Sequence, residues 1–314
     1  MICLRKEKFI KTTERPYKLT ITEQFDKHNL NYDTNYQTSR MSSMKCGGAA
    51  NLVVYPKTTN ELILAIKIAA EYCERYKIIG GCTNTFFADE GYDGALISTR
   101  LLSSVTIHNS KINIQAGAPL VSVLRYSAEQ GIDLGAGLYG IPGTIGGAVR
   151  NNAGAFSSET SSVFSRGSFY DIRADKILTL DKDDLTFGYR SSILQRESLV
   201  FICGVFEGKS RDTRDILKDF NAVLKRRCEM HPKESSLGSF FKRNEGVIPA
   251  RLIDELGLKG MRVGFAEVSK KHAGFIVNVG GATSRDVDDL ATKIERTVYD
   301  AYRVTLVREA ELVK

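Results

Sequence analysis

Hydrophobic residues recur at helical spacing in four stretches of the chain and alternate with polar residues in several shorter segments. Thr58 and Glu61 have capping-box spacing ahead of the first helical stretch. The second stretch opens at Pro119 and is closed by Gly131, which are typical residues for a helix start and end. The predicted helices therefore begin after Thr58, at Pro119, at Thr213 and at about Ser284.

The extended segments lie before, between and after these helices. Strands are predicted at Leu52–Tyr55, Lys77–Ile79, Ile112–Ala116, Lys176–Leu180, Leu199–Phe206 and Val304–Val313. Residues 1–35 are polar and weakly periodic, which predicts an irregular surface arm. The alternation of strands and helices indicates an α/β or α+β protein.

The length and the apolar runs limit the class of protein further. At roughly 150 residues per domain, 314 residues predict about two domains, and we expect a boundary near residue 212. No apolar run approaches the roughly 20 residues of a membrane span, and the N-terminus lacks the apolar stretch of a signal peptide. We therefore expect a cytoplasmic protein without a membrane partner.

The charge and the cysteines exclude several kinds of site. The net charge of +7 favours anionic partners, but the basic residues are scattered, so solvated surface is favoured over a nucleic-acid groove. The six cysteines form no Cys-x-x-Cys pair and are interpreted as reduced thiols. Cys228 and His231 have the spacing of half a metal site, but no second pair accompanies them. We predict no metal.

Two familiar glycine motifs fail on their context. Gly135-Ala136-Gly137-Leu138-Tyr139-Gly140 spells a dinucleotide fingerprint, but a helix ends just before it and glycines and a proline follow. Gly204 to Ser210 resembles a phosphate-binding P-loop, yet it has three residues between its glycines where the motif needs four. A β-turn is the favoured interpretation of the second motif.

The loop Gly80–Thr85 is a better candidate for holding a phosphate. Its small residues expose successive backbone N–H groups, and Thr83, Asn84 and Thr85 add side-chain donors. Alone, it would be interpreted as an ordinary turn. A second glycine-rich segment, Gly140–Ala148, favours a cofactor site over an ordinary turn, because two such segments can clamp one elongated nucleotide cofactor.

Six blocks of sequence, in order along the chain, resemble the UDP-N-acetylenolpyruvoylglucosamine reductases, the MurB family. The blocks are Lys45–Ala50, Gly80–Asp89, Gly140–Ala155, Phe187–Ser191, Gly238–Lys242 and Leu256–Phe275. The short connection from Arg190 to Ser239 resembles the type II branch of the family. The phosphate loop departs from the family in Cys82, where glycine is more common.

The resemblance implies an α+β protein with a two-lobed FAD-binding fold of the PCMH, or vanillyl-alcohol-oxidase-like, type. A C-terminal α+β domain would bind the substrate. The implied division is 1–44 N-terminal arm, 45–100 first FAD-binding lobe, 101–211 second FAD-binding lobe, 212–302 substrate domain and 303–314 a C-terminal strand with the catalytic glutamate.

The resemblance also implies an FAD-dependent oxidoreductase that takes its electrons from NADPH. The substrate would be UDP-N-acetylglucosamine enolpyruvate and the product UDP-N-acetylmuramate, for peptidoglycan and cell wall synthesis and hence cell shape and division. We expect a monomer that acts on a small molecule. Another flavin-dependent oxidoreductase of the same fold and a P-loop-like nucleotide-binding protein remain as alternatives.

The residues that match the family's motifs give a candidate site. Arg190 is the expected partner of the substrate carboxylate, because a guanidinium grips a carboxylate through two parallel N–H bonds, and Ser239 is the expected proton donor. The tail Leu306–Glu311 matches a family tail of Leu-Glu-Pro-Glu-Val-Arg, so the catalytic carboxylate falls on Glu309 and the family's arginine is replaced by Glu311. Glu311 lies two residues on, on the same face of a strand, and is the alternative assignment.

The remaining candidates bind the cofactor and the nucleotide. The FAD site is predicted to comprise Gly80, Gly81, Cys82, Thr83, Asn84, Thr85, Gly143, Thr144, Gly146, Gly147 and Ala148. The substrate is predicted to contact Arg190, Arg227, Lys242 and Arg243, with solvated surface as an equally weighted alternative for the last three.

Overall fold

Helices and strands are interleaved along the whole of the described chain. The computed structural model describes residues 20–73, 75–244 and 246–314. The helices are α1 Ile21–Lys27, α2 Thr59–Tyr72, α3 Leu120–Glu129, α4 Ile145–Arg150, α5 Thr213–Met230, α6 Pro249–Glu255 and α7 Ser284–Tyr302. Within the described ranges, none of these helices is long and apolar enough to cross a membrane.

The strands are short, and many contain only two or three residues. They are β1 Tyr32–Gln37, β2 Ala49–Val54, β3 Tyr76–Ile79, β4 Thr85–Phe87, β5 Tyr92–Ser98, β6 Val105–His108, β7 Lys111–Gln115, β8 Ile132–Asp133, β9 Gly154–Ala155, β10 Ser158–Glu159, β11 Phe164–Asp171, β12 Lys176–Asp181, β13 Leu199–Glu207, β14 Lys209–Ser210, β15 Ser235–Ser239, β16 Phe241–Lys242, β17 Arg262–Val263, β18 Ala266–Val268, β19 Phe275–Asn278, β20 Val307–Arg308 and β21 Glu311–Val313.

The first sheet has the strand order β1-β2-β5-β3. Two of its three pairings are parallel, β2 with β5 and β3 with β5. Helices α1 and α2 cover one face through Phe25, Leu62 and Ile66, which are almost fully buried. Helix α2 forms because Thr58 accepts a hydrogen bond from the Glu61 N–H at its start. The loop that follows β3 is therefore fixed at the end of a buried strand.

The second sheet is antiparallel, with the order β12-β11-β13-β7-β6. Helices α3 and α5 share its core, and the Tyr139 ring stacks on Phe220 at 4.1 Å between centroids. Gly204 lies inside β13 and Gly208 lies between β13 and β14. The segment from Gly204 to Ser210 is thus strand and turn, and it forms no phosphate loop.

The third sheet is antiparallel, with the order β15-β19-β18-β17, and helices α6 and α7 cover it. Helix α7 begins with a full capping box between Thr283 and Asp286, and Leu290 and Ile294 are almost completely buried. A register shift between Ser236 and Ser239 interrupts β15, where Gly238 has a φ of +79°. This irregularity falls directly before Ser239.

The last residues of the chain connect these units, and we call residues 307–313 the C-terminal strap. Its first part, β20, pairs antiparallel with β16, so that Phe241 lies opposite Arg308. Its second part, β21, pairs parallel with β4, so that Glu311 lies opposite Thr85. The strap therefore hydrogen-bonds both to β16, which begins two residues after Ser239, and to the end of the candidate phosphate loop.

The α+β class is confirmed, and so are the four helices and most of the strands predicted from the sequence. Two expectations are wrong. The irregular arm predicted for residues 1–35 contains α1 and β1 in its described part, where Thr20 and Glu23 form a capping box, while residues 1–19 lie outside the described residues. The single strand predicted at Val304–Val313 is divided, because its two ends pair with different strands.

The predicted domain boundaries remain predictions, but two elements cross them in their packing. Helix α5 begins after residue 212, yet Ile216 and Phe220 belong to the core of the second sheet. Val313, in the last predicted unit, packs in a core with Leu96 of the first sheet. The three sheets are therefore held together by shared side chains as well as by the strap.

Arg308 tests the attachment of the strap to helix α7. Its guanidinium donates to both carboxylate oxygens of Glu295, at 2.6 and 3.0 Å, and also contacts Asp288 and the Thr292 hydroxyl. Arg308→Ala is expected to lower the free energy of unfolding by about 2 kcal/mol, because charged hydrogen bonds are lost and two carboxylates remain unpaired. Urea unfolding of the purified protein measures this change.

Arg251→Ala is the matched control. Arg251 pairs with Glu255 one turn along α6, and its side chain is 75% exposed. Exposed pairs of this kind contribute little, so no change in stability is expected. Equal losses in the two variants would contradict the attachment role of Arg308.

Candidate active site

One large cavity, of about 910 Å³, collects most of the residues that the sequence singled out. Its walls include the loop Gly80–Thr85, much of the segment Gly140–Ala148, and the three catalytic candidates Arg190, Ser239 and Glu309. Ligand sites in proteins typically occupy 300–1,000 Å³. The cavity is therefore large enough for an extended cofactor together with part of a substrate.

The two glycine-rich segments lie against each other in one wall of this cavity. A Cβ built on Gly81 would approach the Cα of Gly143 to 3.0 Å, and one built on Gly80 would approach the Thr144 hydroxyl to 2.5 Å. The Thr83 hydroxyl donates to the Pro142 carbonyl at 3.2 Å. Side chains at these glycines would separate the segments, so the close contact itself requires glycine.

The loop has the donor set that a diphosphate needs. Among the described residues, no backbone carbonyl accepts a hydrogen bond from the N–H groups of residues 81–84. Cys82 has a φ of +50°, and alternation of ordinary and left-handed backbone is the geometry that turns successive N–H groups to one side. These residues fit the phosphates of a nucleotide cofactor such as FAD.

Two of the predicted cofactor residues have other partners. The Asn84 side chain donates to the Glu309 carbonyl at 2.8 Å, so it fastens the C-terminal strap. Gly146 donates its N–H to the Ala116 carbonyl and is not among the residues that line the cavity. The other nine predicted cofactor residues line the cavity.

The short helix α4 runs through the second glycine segment, with Thr144 as its N-cap. Sequence analysis missed it, since Gly146 and Gly147 both disfavour a helix interior. Its first residues are tied to the chain before α3, because Ile145 and Gly146 donate to the carbonyls of Ala118 and Ala116. Tertiary contacts therefore override the local preference.

Arg190 and Glu309 form a half-buried ion pair in the cavity. The Arg190 Nε lies 3.1 Å from Glu309 Oε1, and the side chains are 20% and 17% exposed. Arg190 Nη2 also donates to the Gly154 carbonyl at 2.5 Å, which orients the guanidinium. Burial raises the pKa of Glu309, and the positive charges of Arg190 and Lys242 partly oppose that rise.

A network behind Arg190 holds its loop in place. Gln195 donates to the carbonyls of Arg190 and Arg150 and to the Asn151 side chain. The fully buried Asn152 donates to the Gly188 carbonyl and to Glu159. Arg190 itself has a φ of +52°, a backbone conformation that needs such support.

Ser239 is exposed at the edge of the cavity, directly after the irregularity in β15. The next residue, Phe240, accepts a hydrogen bond through its carbonyl from the Glu309 N–H at 2.8 Å, and its own N–H donates to Gly274. One backbone connection therefore joins the serine segment to the segment that carries Glu309.

The basic candidates have different surroundings. Arg227 donates to the carbonyls of Tyr139 and Gly137, its guanidinium lies 5.0 Å from the centre of the Phe156 ring, and burial lowers its pKa. Arg243 lines the cavity. Lys242 does not line it, and its Nζ donates to the Arg190 carbonyl at 3.3 Å.

Sequence analysis missed several charged residues in the cavity wall, among them Lys77 and Arg150. Lys77 contacts Glu311 at 2.6 Å, and Arg150 lies 3.9 Å from the same carboxylate. The signal available for Lys77 was its position three residues before Gly80 in a predicted strand. Glu309 and Glu311 therefore pair with different cations.

In the described part of the chain, no three potential metal ligands lie together.

Comparison with known proteins identifies two family models along the chain. Residues 50–166 match an FAD binding domain, and residues 231–313 match the C-terminal domain of UDP-N-acetylenolpyruvoylglucosamine reductase. The cavity described above takes its glycine-rich wall from the first region and Ser239 and Glu309 from the second.

The chain is also similar to complete proteins of the same description. A UDP-N-acetylenolpyruvoylglucosamine reductase of Caldicellulosiruptor bescii is 37% identical over 89% of this chain and 90% of the relative. One from Clostridium perfringens is 34% identical over 95% of this chain and 97% of the relative. The crystal structure of the Thermus caldophilus enzyme superposes with a TM-score of 0.76 at 29% identity, covering 91% of this chain and 99% of that one.

Cys82 offers a test of the loop conformation. Both Cys82→Gly and Cys82→Ala remove the buried thiol, but only glycine adopts a positive φ without a steric penalty. The glycine variant is expected to be more stable than the alanine variant by about 1 kcal/mol. Thermal unfolding of the two proteins measures the difference.

Cys73 provides the control for this comparison, because its φ is −114°. There the alanine variant should be the more stable of the two, since glycine has the larger entropy in the unfolded chain. If Cys82→Ala proved more stable than Cys82→Gly, as expected at Cys73, the left-handed conformation of Cys82 would be contradicted.

Proposed function

The chain belongs to the UDP-N-acetylenolpyruvoylglucosamine reductase family, and we propose that Arg190, Ser239 and Glu309 carry out its reaction in the large cavity. The protein is an FAD-dependent oxidoreductase that reduces the enolpyruvyl group of a UDP-linked sugar, in the synthesis of peptidoglycan precursors. The observation that carries the assignment of residues is the Arg190–Glu309 pair in the same cavity as Ser239 and the two glycine segments.

The proposal also names the electron donor, the substrate, the cellular compartment and the oligomeric state. We propose NADPH as the electron source and UDP-N-acetylglucosamine enolpyruvate as the substrate, with UDP-N-acetylmuramate as the product. Because both nucleotides are small, water-soluble molecules, we expect the reaction to occur in the cytoplasm. We also expect the protein to act as a monomer.

Residues of both glycine segments would hold FAD, with the free N–H groups of residues 81–84 at its diphosphate. Bound FAD supplies the hydride that no side chain can carry. Asn84 and Gly146 hold the two segments in place. Asn84 does so through its side-chain bond to the Glu309 carbonyl of the strap, and Gly146 through its N–H bond to the Ala116 carbonyl. The other predicted residues are available to the cofactor from the cavity wall.

Arg190 is proposed to bind the carboxylate of the enolpyruvyl group. Hydride addition to the terminal carbon leaves negative charge on the adjacent carbon, and this charge spreads into the carboxylate as an enolate. A guanidinium always carries its charge and can make two parallel N–H bonds to a carboxylate. The contacts of Arg190 with Glu309 and Gly154 orient it in advance, which favours the charged transition state.

Ser239 is proposed to protonate the enolate carbon. An alcohol is a weak acid, but an enolate carbon is strongly basic, so a serine held at the right position is an adequate donor. The backbone bonds of Phe240 to Gly274 and Glu309 fix the position of Ser239. Its exposure at the cavity edge leaves the hydroxyl accessible to a substrate.

Glu309 is proposed to act in its ionised form by keeping Arg190 oriented. The pair is close and mostly shielded from water, so loss of the charge would release the guanidinium. Lys242 supports the same arrangement from the other side through the Arg190 carbonyl. We propose Arg227 and Arg243 as ligands of the UDP diphosphate, because both are positively charged residues that line the cavity.

The two half-reactions test this proposal with the flavin as a built-in indicator. The wild-type protein should purify yellow, lose its visible absorbance with NADPH, and regain it when the enolpyruvyl nucleotide is added. Ser239→Ala should leave the loss of colour nearly unchanged and slow its recovery about 10²–10⁴-fold, because only the recovery needs the proton. Rapid mixing under anaerobic conditions measures both rates.

Ser235→Ala is a matched control on the same strand, at a serine that is not among the residues lining the cavity. It should change neither half-reaction by much. An equal slowing of both half-reactions in Ser239→Ala, or of neither, would reject the role of Ser239. A colourless wild-type protein that binds no FAD would reject the function as a whole.

The pH dependence of colour recovery tests Glu309. Burial raises the pKa of this carboxyl above its usual value of 4.5. The acidic limb in a plot of recovery rate against pH should therefore lie at a higher pH than the pKa of an ordinary glutamate. The recovery rate should fall as the pH decreases through this pKa, because the protonated carboxyl no longer holds Arg190. Glu309→Gln should be slow and lack the limb, whereas Glu311→Gln should keep it. A limb that disappears only in Glu311→Gln would transfer the role to Glu311.

A further inference from the structure

Glu311 lies in β21, two residues after Glu309, and has ion-pair partners of its own. Its carboxylate contacts Lys77 Nζ at 2.6 Å and lies 3.9 Å from Arg150 Nη1. All three side chains line the large cavity and are partly exposed, between 29% and 41%. We call Lys77, Arg150 and Glu311 the charge triad.

Each member of the charge triad comes from an element that also carries a wall of the proposed FAD site. Lys77 lies on β3, which ends immediately before Gly80. Glu311 lies on β21 opposite Thr85, the last residue of the same loop. Arg150 is the last residue of α4, which begins after Thr144. The triad is therefore built into the cavity wall between the elements that carry the two glycine segments, and Glu311 lies two residues after Glu309.

The triad is separate from the catalytic group proposed above. Glu309 pairs with Arg190, whereas Glu311 pairs with Lys77. Glu309 lies between β20 and β21, and Glu311 lies in β21. With two cations and one carboxylate, the triad has a formal charge of +1. A net positive charge in a cavity wall attracts an anionic ligand.

The reaction itself generates an anion in this site. A hydride brings two electrons and one proton, so its transfer to FAD adds one negative charge to the flavin. Fixed positive charge near the flavin stabilises the reduced form relative to the oxidised form. The nearby charges of a protein thereby set the reduction potential of its cofactor.

We propose that the charge triad faces bound FAD and sets its reduction potential, with Lys77 as the cation that acts on the flavin and Glu311 as the residue that positions and attenuates it. This inference depends on FAD binding in the proposed function. It assigns a function to Glu311 that differs from that of Glu309.

The proposal predicts shifts of opposite sign from the two halves of one ion pair. Lys77→Met leaves a carboxylate in the wall and removes a cation, so the reduced flavin should bind less tightly relative to the oxidised flavin. Glu311→Gln removes the carboxylate and leaves Lys77, so the reduced flavin should bind more tightly. If the pair only linked β3 to the strap, both variants would lose the same contact and would change in the same direction.

The test is the midpoint potential of the flavin in the purified holoprotein, measured by anaerobic reduction in equilibrium with a reference dye. We expect Lys77→Met to lower the ratio of reduced to oxidised FAD affinity about tenfold, which is a shift of about 30 mV for two electrons. Glu311→Gln should raise the ratio by a similar factor. The double variant should lie within about threefold of the wild type, because the two changes oppose each other.

Two further variants keep the test interpretable. Lys77→Gln removes the charge but retains a hydrogen-bond donor for Glu311, so it serves if Lys77→Met does not fold. Lys111 and Glu207 form a comparable pair at 2.9 Å, away from the residues that line the large cavity. Lys111→Met and Glu207→Gln make the same charge changes and should leave the potential unchanged.

Shifts of the same sign in the Lys77 and Glu311 variants, or no shift in either, would overturn the proposal. The measurement needs neither NADPH nor the enolpyruvyl nucleotide, so its failure is separate from that of the proposed function. A protein that binds FAD and completes both half-reactions, but whose potential ignores Lys77, would refute only the role of the triad. A protein that binds no FAD would refute the proposed function instead.

Discussion

The two β-pairings of the C-terminal strap are the constraint on which the site depends. One pairing joins the strap to β16, next to Ser239, and the other joins it to β4, next to the loop Gly80–Thr85. Between them, Asn84 accepts the Glu311 N–H through its carbonyl and donates through its side chain to the Glu309 carbonyl. A few hydrogen bonds thus fix the distance between Ser239, the proposed proton donor, and the loop Gly80–Thr85, the proposed cofactor loop. Reactions of this kind lose much of their rate when such distances change by about 1 Å.

Burial of charge is the second condition, and it explains why so many bonds surround Arg190. A half-buried ion pair gains little unless its geometry and its remaining hydrogen bonds are good. The loop of Arg190 is held by Gln195, Asn152 and Lys242, and its guanidinium by Gly154 and Glu309. Desolvation still exceeds the attraction in its effect on Glu309, whose pKa is raised. The surrounding bonds therefore keep a charged guanidinium oriented in the cavity wall.

Much of this arrangement could be predicted from the sequence, because strong periodicity and collinear motifs are local signals. Helices α2, α3, α5 and α7 and the candidates Arg190, Ser239 and Glu309 follow from such signals. The short helix α4 does not, since its glycines are compensated by bonds to Ala116 and Ala118. Nor do Lys77 and Arg150, which meet Glu311 only through tertiary contacts across more than 150 residues. Contacts between distant segments leave no pattern in a single sequence.

Glu309 and Glu311 lie close together in the strap but have different backbone partners. Glu309 lies between β20 and β21 and donates its N–H to the Phe240 carbonyl, whereas Glu311 lies in β21 opposite Thr85, and both residues line the same cavity. Their carboxylates contact different cations, Arg190 for one and Lys77 for the other. A carboxylate between two cations is stabilised by both, whereas two carboxylates sharing one cation would repel each other. The division of the strap into two pairings thus separates the residues proposed for the substrate from those proposed for the cofactor, while it keeps both sets within one rigid segment.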